Sequence, residues 1–200
     1  MKKISIITAV KNGMPYVKES LNSFNLQDYE NKELVIICTK SEDGTEEFLN
    51  NNLNKNIKLF HTNQNGIYKA INEGLKKSTG EIIGILHSDD VFYSNKILSY
   101  ISEKFENEKS DLCYGDIVYC KRNDLLNIVR VWKEKSYSKN LPKYWTPPHT
   151  SVFIKRSEKT NIFYDENYKI SSDTKYLLQL LKKNDLNISY LPGFITVMRA

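Results

Sequence analysis

Cysteine is scarce in this 200-residue chain, with Cys38, Cys113 and Cys120 making three in all. They form no C-x-x-C pair and their number is odd, so neither a disulfide framework nor a zinc site can be built from their spacing. Reduced core thiols are the expectation. Glycine and proline are sparse too, at eight and five residues, which excludes collagen-like repeats and linker-type low complexity. No apolar run approaches the roughly 18 residues of a membrane span. Ile4 to Val10 is apolar behind Lys2 and Lys3, but Lys11-Asn12-Gly13 ends the run with no small-residue cleavage site. A secretory leader is therefore not expected, and a cytoplasmic protein is. Excess charge is small: 29 Lys+Arg against 24 Asp+Glu give +5. The cations are mostly lysines dispersed along the chain, whereas a nucleic-acid partner calls for a clustered stripe. What is present, 40% hydrophobic and 12% aromatic residues, is globular composition in a length suited to a single domain.

Strand and helix patterns alternate through about the first 110 residues. Ile4–Val10, Leu34–Cys38, Ile57–Phe60 and Ile82–Leu86 are short runs rich in Ile and Val, the pattern of strands buried on both faces. Between them, Val17, Leu21 and Phe24 share a helical face, and Ile67, Ile71 and Leu75 share another. Asp43-Gly44-Thr45-Glu46 has capping-box spacing. Asn65 is expected to cap the helix after it and Gly80 to end that helix. Ile97, Leu98, Ile101 and Phe105 mark a further helix. The expected class is α/β, a doubly wound and mostly parallel sheet. From about 111 to 200 the pattern is more mixed. It has a hairpin over Leu112–Tyr119 and Leu125–Trp132, an irregular stretch from Lys133 to Thr150 and a short strand at Ser151–Lys155. A helix over Ser171–Lys183 and strands at Ile188–Leu191 and Phe194–Met198 follow.

Ligands of doubly wound sheets bind beyond the carboxyl ends of the strands. There the chain places Lys11-Asn12-Gly13, Thr39 to Gly44 and His87-Ser88-Asp89-Asp90. Adjacent carboxylates repel, and a divalent cation shared with a ligand's phosphates relieves them. Capping of a turn before Ser94 is the plainer role for one of them. No G-x-G-x-x-G or P-loop is present, so phosphates fall to a metal, backbone amides or Lys69. Asp173 stands near a helix N-terminus, where an acid is favoured by the dipole alone. His61 reads as structural. His87 reads as a metal ligand or a support to one, and His149 as a loop histidine that binds or merely packs. Arg130, Lys133, Lys135, Lys139 and Lys143 interleave with Trp132, Tyr137 and Tyr144, as a solvated loop or an acceptor-binding surface.

Four ordered motifs carry a resemblance. Ile4-Ser5-Ile6-Ile7-Thr8-Ala9-Val10-Lys11-Asn12 resembles the opening strand of family 2 glycosyltransferases of the GT-A fold. Ser41-Glu42-Asp43-Gly44-Thr45 resembles their S-T-D-G-T helix start. Asn65 to Gly74 and Thr79 to Asp90 resemble the branch typified by colanic-acid and capsule glycosyltransferases. The resemblance implies hexosyl-type transfer from a nucleoside-diphosphate sugar, UDP-linked by preference. The sugar would pass, with inversion, to a glycan or lipid-linked acceptor in surface polysaccharide synthesis, at the inner face of the membrane. It implies Mn²⁺ or Mg²⁺ on Asp90 and Asp173 as general base. Thr8, Ala9, Val10, Asn12, Cys38, Gly66, Lys69, Asn72 and Asp89 would serve the donor, with Asp89 on the ribose. Trp145 and His149 would serve the acceptor.

The chain departs from that family's pattern at Cys38, where an Asp usually reads the nucleobase, at Lys69 in place of Asp, and at His87 in place of the first acid of D-x-D-D. Relatives of this type usually continue past Ala200, so an incomplete acceptor side is expected. Two alternatives share the residues: a nucleotide- or glycan-binding module without turnover, and a metal-dependent nucleotidyl- or phosphotransferase. A glycosidase would need acids facing each other across a sugar, not adjacent in sequence.

Overall fold

β1 (Ile4–Val10), β2 (Lys32–Thr39), β3 (Ile57–Thr62) and β4 (Ile82–Ile85) pair in parallel in the order β3-β2-β1-β4. The computed structural model describes residues 1–138, 140–183 and 185–200. Lys139 of the basic stretch lies outside the described residues.

Period-two alternation sends the side chains of these strands to two cores. Ile4, Ile6, Leu34, Ile36 and Cys38 face α1 (Val17–Asn25), α2 (Thr45–Asn51) and α4 (Ile97–Asn107), meeting Leu21, Phe24, Leu49, Leu98 and Phe105. Ile7, Val35 and Ile37 face α3 (Ile67–Lys77) and α5 (Ser172–Leu181), meeting Ile71, Leu75, Leu177 and Leu180. Each fully buried Ile, Leu or Phe contributes about 1.5–3 kcal/mol.

The second half extends the same sheet. β8 (Phe153–Lys155) lies antiparallel between β4 and β6 (Leu112–Lys121), so β6 runs in the direction of β4. β7 (Asp124–Trp132) completes the expected hairpin with β6. β9 (Ile188–Arg199) is parallel to β6, and the two-residue β5 (Val91–Phe92) pairs antiparallel with β9. The two strands expected at 188–191 and 194–198 are thus one. Pro192-Gly193 reads as a break, but the structure absorbs it where the register with β6 slips, with Gly193 at φ +133°. β5 is too short to leave a periodic signal.

Three helix-end expectations are corrected. α2 begins after Gly44 at φ +87°, and no capping box forms. Asp43 instead accepts from the N–H and hydroxyl of Thr45 at 3.1 and 2.6 Å and from Met14 N–H at 2.8 Å, while Glu46 accepts from Ser41 N–H at 2.7 Å. Asn65 does not cap α3; it accepts from Lys11 Nζ at 2.9 Å, and Ile67 is exposed. Gly80 does not end α3, which stops at Lys77. A Cβ at Gly80 would lie 2.6 Å from Ser5 N, so close approach to β1 requires the glycine.

The carboxyl ends of β1, β2, β3, β4, β6 and β9 share one rim. At the opposite rim Glu33 is buried beneath Lys3 and Lys58, each 2.8 Å away, and accepts from Ser5 Oγ at 2.6 Å. Burial opposes ionisation there, but these donors hold Glu33 well below the ordinary carboxylate range. Cys38, Cys113 and Cys120 are buried free thiols, as expected. Among the described residues no helix is long and apolar enough to cross a membrane.

Candidate functional site

Side chains from four distant segments meet on the carboxyl rim. His87 follows β4, His149 opens the 3₁₀ turn His149–Ser151, Asp173 lies in the first turn of α5 and Tyr68 in that of α3. The imidazoles of His87 and His149 are tilted at 4.9 Å between centroids. His149 Nδ1 stands 3.7 Å from Asp173 Oδ2, and Tyr68 donates to Asp173 Oδ1 at 3.1 Å. Burial, reinforced by His87, pushes His149 down to about 3 against the pull of Asp173. Burial also lowers His87, opposed by Asp89 and Asp173. Both imidazoles are therefore neutral near pH 7. The Asp173 carboxylate therefore has no cationic neighbour in His149.

Two residues beyond His87, the paired acids occupy different environments. Asp90 is 2% exposed; its Oδ1 accepts from Arg199 N–H at 3.2 Å, and its buried Oδ2 has no partner among the described residues. Burial, with the neighbouring Asp89 charge, raises Asp90 to about 8. Asp89 faces the rim, with Arg122 Nη1 3.6 Å from its Oδ2. Arg122 and Arg199 both lie against the Tyr16 ring, at 4.7 and 4.8 Å, and Arg199 is ion-paired to Glu19. Among the described residues no three His, Cys, Asp or Glu side chains gather to enclose a metal ion. The pair instead fits a cation completed by substrate. One carboxylate is accessible, the other holds an orphaned oxygen, and phosphate oxygens or water would fill the remaining positions.

A groove runs along the ends of β2 and β3. One part, of about 540 Å³, is lined by Ser41, Gly44, Glu46 and His61. The adjoining part, of about 430 Å³, is lined by Lys11, Asn12, Thr39, Lys40 and Asn65. Asn12, at φ +50°, accepts from Glu42 N–H at 2.9 Å, and its own N–H donates to Ser41 Oγ at 3.0 Å. This ties the β1 and β2 loops into one wall.

The expected donor residues divide. Asn12 and Asp89 are on the rim; Gly66 and Lys69 open α3 beside it, and Ala9 is half-buried at the end of β1. Cys38 is not on the rim: its thiol is fully buried beside Leu49 and pushed up to about 11 by burial. Thr39, one residue on and on the opposite face, lines the groove instead. Asn72 is also corrected. It clamps residues 164–166, donating to Tyr164 O and Glu166 Oε1 at 2.9 Å and accepting from Tyr164 N–H at 2.9 Å. Thr8 spends its hydroxyl on Leu86 O at 2.7 Å, and Val10 is in the core, so neither presents a side chain to a ligand. His61 is exposed in the groove, 3.7 Å from Glu46, not a packed structural residue. Trp145 donates to Glu134 at 3.1 Å and packs on Tyr114 and Tyr137.

Tyr68 and Arg122 went unrecognised in the sequence. Tyr68 falls inside a helical apolar pattern, and Arg122 inside a polar turn, where neither residue type stands out.

The sequence model for "Glycosyl transferase family 2" matches residues 5–167. An uncharacterized glycosyltransferase of Rickettsia felis is 36% identical over 115 residues, spanning 56% of this chain and 19% of that protein. S. aureus TarS 1–349 in complex with UDP superposes with a TM-score of 0.83 at 22% identity, over 99% of this chain and 60% of that one. The mannosyltransferase PcManGT from Pyrobaculum calidifontis, in complex with GDP-Man and Mn²⁺, gives a TM-score of 0.69 at 18% identity, over 98% of this chain and 56% of that one. The α/β sheet is that of GT-A glycosyltransferases, and the chain belongs to glycosyl transferase family 2.

Proposed function

We propose that the chain is the catalytic region of an inverting glycosyltransferase. It would move a sugar from a nucleoside-diphosphate donor, UDP-linked by preference, to a glycan or lipid-linked acceptor of a surface polysaccharide, on the cytoplasmic side of the membrane. The observation that carries this is the contact sequence Asp173–His149–His87, which leads from a base candidate to the strand end where Asp89-Asp90 follow two residues on. A TarS structure holds UDP, and PcManGT holds GDP-Man with Mn²⁺.

The donor diphosphate would lie over Asp89, its nucleoside along the groove past Asn12 and Thr39. Asp90 and Asp89 would hold Mn²⁺ or Mg²⁺, which supplies positive charge to the leaving diphosphate. The acceptor hydroxyl attacks the anomeric carbon from the face opposite the diphosphate. A new C–O bond forms as the bond to the phosphate oxygen breaks, and the electron pair leaves with the nucleoside diphosphate. Asp173 Oδ2 takes the hydroxyl proton. His149 and Trp145 border the acceptor approach, and neutral His149 adds no charge there to compete for Asp173.

Calorimetric titration with UDP, GDP and CDP, each with and without Mn²⁺, tests the reading. Metal-dependent binding of one nucleotide is expected, followed by glycoside formation from the matching sugar nucleotide. Binding of none overturns the donor site.

A further inference from the structure

The Tyr68 hydroxyl makes a polar contact that connects α3 to α5 at the rim. Its ring is 8% exposed and stacks on Tyr164 at 5.7 Å and 12°, which stacks in turn on Tyr176 at 4.3 Å and 8°. Tyr176 lies on α5 one turn after Asp173, so the stack returns to the helix that carries the carboxylate. The Tyr68 hydroxyl proton goes to Asp173 Oδ1 at 3.1 Å. A phenol whose ring is held in a stack and whose hydroxyl donates to a carboxylate has its direction fixed. Burial raises Tyr68 above its ordinary value, and the Asp173 charge adds to that, so it remains a donor at working pH.

We propose that Tyr68 is a positioning residue for Asp173, its hydroxyl occupying Oδ1 so that Oδ2 is the oxygen turned to the acceptor. This rests on the reading of Asp173 as the base. Among the described residues no hydrogen bond reaches Oδ2, and His149 Nδ1 at 3.7 Å lies beyond hydrogen-bonding distance. A carboxylate in the first turn of a helix can rotate about two side-chain torsions. The hydrogen bond from a stacked, immobile ring removes that freedom before the acceptor arrives. When Oδ2 receives the proton, the Tyr68 bond to Oδ1 persists, because Oδ1 remains an acceptor in the neutral acid.

The test is Tyr68→Phe, which keeps the ring and its stack and deletes one oxygen. The expected result is a fall in kcat of roughly 10- to 100-fold, the scale of losing one hydrogen bond to a charged group. Nucleotide affinity, the donor KM and the melting temperature should stay near wild type. In an Asp173→Asn background the same substitution should cost nothing further in single-turnover rate, since no base remains to be positioned. Tyr164→Phe, the same deletion one ring along the stack, should leave kcat unchanged. A wild-type kcat in Tyr68→Phe, an equal loss in both backgrounds, or an equal loss in Tyr164→Phe would each overturn the positioning role while leaving the base reading intact. Wild-type turnover in Asp173→Asn overturns both.

Discussion

Arg122, at the turn between β6 and β7, brings its guanidinium to within 3.6 Å of the Asp89 carboxylate on the rim. Its position is built rather than incidental. Its ring neighbour Tyr16 donates to Asn123 Oδ1 at 2.6 Å, and Arg199 Nη1 donates to the Arg122 carbonyl at 2.9 Å. The hairpin tip, the loop after β1 and the end of β9 are thereby fastened beside Asp89. A guanidinium and a divalent cation compete for the same carboxylate. Arg122→Ala should therefore tighten binding of Mn²⁺ alone, read by electron paramagnetic resonance, by up to about fivefold, the scale of an exposed ion pair. The gain should shrink as salt rises. Mn²⁺ affinity equal to wild type at low salt would show that Arg122 does not guard Asp89.

The acids and Asp173 should separate binding from chemistry. Asp90→Ala is expected to abolish the metal-dependent part of nucleotide binding. Asp173→Asn should bind the nucleotide as wild type does and lose transfer, because the amide cannot take the acceptor proton. Paired calorimetry and product assays check this. Wild-type transfer by Asp173→Asn would remove it from the mechanism.

Residue 39, not 38, is where the second strand meets the groove. Cys38→Asp puts a carboxylate into an apolar core beside Leu49, and should destabilise the fold by several kcal/mol without creating a nucleobase contact. Thr39→Asp puts the same carboxylate on the groove wall. Thr39 is itself largely buried, so the melting temperature should fall, but by less than in Cys38→Asp, and uridine binding should tighten if the base lies there. Thermal melts and uridine titrations on the two variants give opposite rankings if this assignment holds. Uridine tightening in Cys38→Asp would reverse it.

Strand identity in the first half was legible because strands buried on both faces demand unbroken Ile and Val, and Ile4–Val10 and Leu34–Cys38 supply them. The face of a strand-end residue was not. Runs apolar on both sides carry no alternation, and one position exchanges the core for the rim, as at Cys38 and Thr39. Polar residues inside motif-like segments misled for a related reason. Asn72 and Thr8 look like ligand contacts in sequence, but Tyr164, Glu166 and Leu86, far away along the chain, consume their hydrogen bonds. Asp43-Gly44-Thr45-Glu46 has capping-box spacing, yet Asp43 is taken by Met14 of another loop. Local spacing shows which bonds a residue is able to make, and tertiary contacts decide which it does make.

Stability should record the neutral histidine pair. His149 is held down to about 3 from an ordinary 6.5, by burial first and by His87 second. Below pH 6.5 the unfolded chain therefore takes up a proton that the folded chain refuses. The sign follows: this contribution is fully present above about pH 6.5 and is lost as pH falls from there toward 3. Buried Glu33 acts in a lower window. Its folded-state value is depressed from 4.5, so its contribution is lost only below about pH 4.5. Buried Asp90, raised to about 8, takes up its proton across the same range and acts in the opposite direction, so denaturant melts between about pH 7.5 and 5 read the histidine share as the difference between wild type and a His149 variant. His149→Gln, which cannot take up the proton, should lose less stability than wild type, or gain more, as pH falls across that range. An unchanged slope in that variant would mean that His149 is protonated in the folded protein, and a cationic His149 would then stand beside Asp173 and weaken it as a base.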